Sequence, residues 1–124
     1  MNTPIQNRIH TIFIHVSDLK ASAHWYADLL GQEVDLDDVT RPVHTIPVAD
    51  YTSLTLDAGP EGEHKDIVPA RFPIFNFHAD DIHEAHGYVE GIGIEVVQPI
   101  MSFDDFSFFT VKDPDGHLIM ICTG

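Results

Sequence analysis

Cysteine occurs once in this chain, at Cys122, so no internal disulfide can form and a reducing compartment is expected. Basic side chains are also scarce, with six Lys and Arg against twenty Asp and Glu and a formal net charge of −14. Such a field repels phosphate, which excludes nucleic acid as an expected partner and favours a cationic ligand. No apolar run approaches the roughly 18 residues of a membrane span, so no membrane partner is expected either. The opening, Met1–Arg8, is polar and carries no apolar signal-peptide core, which predicts a cytoplasmic protein.

What is present is enough for one globular domain. The 124 residues are 44% hydrophobic, sufficient to bury a core and inconsistent with a disordered acidic tail. Repetition fixes the architecture. His15-Val16-Ser17-Asp18-Leu19 leads through a helical stretch to Gly31-Gln32-Glu33-Val34, and His78-Ala79-Asp80-Asp81-Ile82 leads through a second one to Gly93-Ile94-Glu95-Val96. The match in order, spacing and residue type predicts a duplicated unit.

Ile12, Ile14 and Val16 alternate with Thr11, Phe13 and His15, the period of a two-faced strand. Ser17 and Asp18 are good N-caps for a helix carrying Leu19, Ala23, Tyr26 and Leu30 on one face, and Gly31 suits its left-handed end. Strands are expected near Gln32–Leu36, Val43–Val48 and Ser53–Asp57. The Gly- and Pro-containing stretch Ala58–Arg71 reads as a linker. The second unit is expected to run through a strand at Phe72–Ala79, a helix from Asp81 to Glu90, and strands near Ile94–Gln98, Phe106–Lys112 and His117–Cys122. A tight turn at Asp113-Pro114-Asp115-Gly116 precedes the last strand. The whole is one α+β domain of two tandem βαβββ units, about 9–57 and 72–122, joined by the linker 58–71.

Val16-Ser17-Asp18-Leu19, Ala21-Ser22, Trp25-Tyr26 and Leu30-Gly31, with the ending from Phe109 through Asp113-Pro114-Asp115-Gly116 to Ile119, resemble the vicinal oxygen chelate superfamily. That superfamily includes glyoxalases, bleomycin-resistance proteins and extradiol dioxygenases. The resemblance covers almost the whole chain. It implies two curled sheets forming an open cup with helices outside, a small-molecule ligand inside, and closure by a second subunit as a homodimer. Metal-dependent members place one ligand on each of four strands, and the resemblance carries these positions to Thr11, Thr55, Ile74 and Met120. Two threonines, an isoleucine and a thioether offer neither imidazole nor carboxylate, so no metal and no other cofactor is expected. His10, beside Thr11, would need a bulge in its strand to replace one of them.

The same alternation turns Phe13, His15, Asn76, His78, Leu118, Met120 and Cys122 toward the cup, with Thr11, Thr55 and Ile74, giving a mainly apolar lining with a few polar groups. Phe103, Phe106, Phe108 and Phe109 are expected to flank it or to join the core. His24, His83 and His86 read as helix surface, and Cys122 has no cationic sequence neighbour to activate its thiol. The expected function is metal-independent binding of an aromatic or cationic small molecule, as in bleomycin-resistance proteins. The alternative is a glyoxalase-like lyase or isomerase, or a dioxygenase-related enzyme, with a cup histidine as general base.

Overall fold

Alternation of Thr11–His15 makes strand β1, and Asp18 stops it by accepting the amide of Ala21 and capping helix α1, Leu19–Leu30. Gly31 ends α1 with φ 67°, a left-handed conformation that costs glycine nothing. Strands β2 (Val43–Pro47) and β3 (Ser53–Asp57) complete the first half; β4 (Asn76–His78), α2 (Ile82–Gly91), β5 (Val96–Ser102), β6 (Ser107–Lys112) and β7 (Leu118–Cys122) form the second. The computed structural model describes residues 1–124, and the chain divides into two compact units, Met1–Ile67 and Val68–Gly124. Each holds one helix and one open mixed sheet, an α+β architecture.

In the first unit the sheet order is β1-β3-β2, with β1 parallel and β2 antiparallel to the central β3. Ile14, Val16, Ile46, Leu54 and Leu56 are buried, together with Leu19, Ala23, Tyr26 and Ala27 of α1. Each large apolar side chain removed from water here contributes about 1.5–3 kcal/mol. The strand expected at Gln32–Leu36 is absent, and a 3-10 turn, Leu36–Asp38, stands at its end. The Asp35 carboxylate accepts the amide of Asp37 at 3.0 Å, and the Lys20 ammonium donates to the Leu36 carbonyl. Aspartate side chains that hydrogen-bond their own backbone compete with a sheet ladder, and here they win.

The second unit keeps all four strands, in the order β4-β7-β6-β5. Strand β4 covers only three residues of the expected 72–79, because Pro73 has no amide to give a ladder. Strand β5 runs longer than expected, to Ser102; it pairs only with β6, and register shifts on either side of Gln98 accommodate Pro99. The Asp113–Gly116 turn closes through the Gly116 amide on the Asp113 carbonyl at 3.0 Å. The buried Asp113 carboxylate accepts from the amides of Asp115 and His117, and Gly116 takes φ 89°. Phe109, Val111, Ile119 and Ile121 form the core with Ile82 and Val89 of α2.

Candidate functional site

In the first unit, Thr11, Phe13 and His15 of β1 lie opposite Ser53, Thr55 and Asp57 of β3 and share the face turned away from the buried Ile14, Leu54 and Leu56. The register runs unbroken from Thr11 to His15, so no bulge turns His10 into this row. At one end the Thr11 hydroxyl lies 2.7 Å from that of Thr55 and also donates to the Ser53 carbonyl at 3.1 Å. In the middle, Phe13 keeps 61% of its surface exposed.

At the other end sits a cluster that sequence reasoning missed. Lys65 reaches back from the segment after β3 to place its ammonium 2.7 Å from His15 Nδ1, 3.0 Å from the Asp57 carbonyl and 3.3 Å from Asp57 Oδ1. Arg41 anchors that segment by donating to the carbonyls of Ala58 and Glu63, at 2.6 and 2.9 Å. The Asp57 carboxylate accepts the Gly59 amide at 2.9 Å. That bond, aided by the Lys65 ammonium, holds the Asp57 carboxyl below its ordinary value despite partial burial. Nothing in local periodicity signals Lys65, because it lies fifty residues from His15 in a segment that reads as linker.

In the second unit, Asn76 and His78 lie opposite Met120 and Cys122, with Leu118 on the same face of β7. His78 Nε2 is 2.7 Å from Asp80 Oδ1. Cys122 lies on this face but is only 5% exposed: the Gly124 amide donates to its sulfur and Phe106 packs beside Gly124. Ile74 departs from expectation. It precedes β4 outside any strand and is 82% exposed, since the chain only becomes extended and paired after Pro73.

The aromatic residues divide. Phe109 enters the core, whereas Phe103, Phe106 and Phe108 stack on one another with centroids 5.0–6.2 Å apart, and Phe108 pairs across from Cys122 on the candidate face. His86 is also not helix surface as expected: its ring meets Phe109 edge-on at 5.1 Å and its Nδ1 lies 3.0 Å from Glu90 Oε1. A histidine at this position offers a ring to the core and a nitrogen to the rim.

Neither unit gathers three or more His, Cys, Asp or Glu side chains into a group able to hold a metal ion. Thr11 and Thr55 satisfy each other, and neither Ile74 nor Met120 supplies a ligand that a hard or borderline divalent cation prefers. The residues at these positions do not fit the metal of glyoxalase-type relatives. No helix is long and apolar enough to cross a membrane.

Comparison with solved structures finds the same fold repeatedly. The oxidase ChaP-H1 is 23% identical with a TM-score of 0.73, covering 96% of this chain and 97% of its own. UcmS2 is 17% identical with a TM-score of 0.77, covering 97% and 100%. A lactoylglutathione lyase from Agrobacterium tumefaciens is 20% identical with a TM-score of 0.71, covering 95% and 94%. No curated protein matches the chain. The sequence model of one family extends over residues 8–121, through both units, and on that match the chain belongs to the glyoxalase/bleomycin resistance protein/dioxygenase superfamily.

Proposed function

We propose that this protein binds a planar, largely aromatic small molecule on the helix-free faces of its sheets, without a resident metal ion. The observation that carries this reading is the Thr11–Thr55 hydroxyl pair, 2.7 Å apart, at two of the four positions where metal-dependent relatives hold their ion. Neutral hydroxyls bonded to each other are poor ligands for a divalent cation, but they border an exposed aromatic side chain, Phe13. Exposed or half-exposed Phe13, Phe103, Phe106 and Phe108 offer flat apolar surface of the kind ligand sites use. The superfamily takes in bleomycin-resistance proteins as well as enzymes, and a binding role accords with the first of these.

One observation favours a second reading, an enzyme. Asp80 accepts the Nε2 proton of His78, which leaves the lone pair of a neutral ring on Nδ1, the arrangement of an oriented general base. His15 is the poorer candidate, because its Nδ1 lone pair is engaged by Lys65.

The test is elemental analysis of dialysed protein, followed by thermal-shift screening of aromatic compounds with and without added Zn, Ni, Fe and Mn salts. Metal below one-tenth equivalent per chain and a metal-independent stabilisation by aromatic compounds are expected. Close to one tightly held metal per chain would overturn the reading. Consumption of a hit compound that is abolished in His78→Ala would establish the second reading instead.

A further inference from the structure

The second unit has only two Lys or Arg side chains, Arg71 and Lys112, and both line one open cavity of about 680 Å³. Lys112 ends β6 opposite Leu118 of β7, while the neighbouring Val111 and Ile119 are buried, so Lys112 and Leu118 share the helix-free face. Gly116, at φ 89°, lies where the Lys112 stem and Pro69 close on the turn. A Cβ added there would meet Pro69 Cγ at 3.4 Å and Lys112 Cε at 3.7 Å. Pro69 thereby carries Arg71, two residues on, to the same place. The Arg71 guanidinium lies over the Phe72 ring, 5.8 Å from its centroid, a stacking that directs its N–H groups outward in their own plane. Pro69, Val97 and Leu118 supply apolar wall. Asp115 lines the cavity as well and offsets one of the two charges, which leaves a balance of one positive charge. An ammonium carries three donors and a guanidinium five, more than the Asp115 carboxylate can accept. The net charge of −14 opposes an anion at a distance, but salt screens that field beyond about 8–10 Å, and the two cations decide at contact.

We infer that this cavity receives the carboxylate of an organic monoanion, whose aromatic body runs from Leu118 toward Met120 along the helix-free face of β7. The fork of the Arg71 guanidinium matches a carboxylate in shape, and Lys112 adds a second charge-assisted bond. Leu118 and Met120 stand two residues apart on one face, about 7 Å along an extended strand, close to the length of one aromatic ring with its first substituent. This rests on the reading that the helix-free faces bind aromatic compounds, and it makes the ligand an anion rather than the cation that net charge alone favours.

The experiment titrates benzoate, toluene, benzylammonium and acetate into the full chain labelled with 15N. Benzoate should shift the amides of Lys112, Gly116, Leu118 and Met120 and bind about five- to tenfold tighter than toluene or benzylammonium, a margin that shrinks as salt is raised. Lys112→Met and Arg71→Met, both at exposed positions, should each weaken benzoate about three- to tenfold and leave toluene unchanged. Arg8→Met removes the same charge from the first unit and should leave benzoate binding as it was. Acetate has the charge without the ring and should bind at least about tenfold more weakly than benzoate. Equal binding by acetate would mean that the cavity attracts any small anion, and the inference would fall. An Arg8→Met effect as large as that of Lys112→Met would also overturn it, by making net charge rather than contact responsible. If toluene shifts Leu118 and Met120 but benzoate gains nothing over it, this inference falls and face binding stands. If no probe shifts that face, both fall.

Discussion

Asp57 shows how much one side chain on the candidate face depends on its surroundings. Its carboxyl is held below the ordinary value of 3.8, first by the Gly59 amide and then by Lys65, with burial opposing both. A depressed folded-state value means stability that is complete above about pH 3.8 and lost as the pH falls through the folded value. Urea midpoints of the unmodified protein and Asp57→Asn should therefore differ by a constant amount from pH 5 to 7 and converge below pH 4. Divergence on acidification would contradict the assignment. Ser22 is the opposite case, a fully buried hydroxyl in α1 with no hydrogen-bond partner. Ser22→Ala removes an unsatisfied polar group and improves helix propensity, so denaturation should show a gain of about 0.5–2 kcal/mol. A loss would mean that the hydroxyl has a partner in solution.

Among the elements, the two helices differ in how glycine is used. Gly31 caps α1 at φ 67°, where an added Cβ meets nothing but the backbone conformation itself is unfavourable. Gly31→Ala should cost about 1 kcal/mol. Gly87 lies inside α2 with ordinary backbone and equally open space. Gly87→Ala should stabilise by about 0.5–1 kcal/mol, measured by the same chemical denaturation. Opposite signs for one chemical change would confirm that conformation, not crowding, governs both sites. Element prediction failed where polar side chains bond locally: Asp35 converts the end of an expected strand into a 3-10 turn. It succeeded for β1, α1, α2, β6 and β7, where long apolar periodicity and strong caps agree.

For the whole molecule, several large apolar side chains stand exposed at the surface. Phe13, Ile74 and Phe103 each keep more than half of their area in water. Contiguous apolar surface on a small domain marks binding or assembly, whereas single exposed side chains are ordinary. A homodimer is the expected state, and light scattering at micromolar concentration is the measurement; a monomer throughout would leave these residues to ligand contact alone. The net charge of −14 keeps copies apart at low ionic strength, so the dimer should tighten as salt is raised.

The sequence by itself determined the duplicated α+β plan and the strand faces that carry Thr11, Phe13, His15, Thr55, Asn76, His78, Leu118, Met120 and Cys122. Periodicity, capping and residue chemistry are local or short-range properties, so they can be read without coordinates. Tertiary structure decided which groups those side chains meet. It brought Lys65 across fifty residues to His15, closed Gly124 over Cys122, turned His86 onto Phe109 and left Ile74 outside β4. Such contacts depend on where a loop lands after the core has packed, and no pattern along the chain encodes that distance.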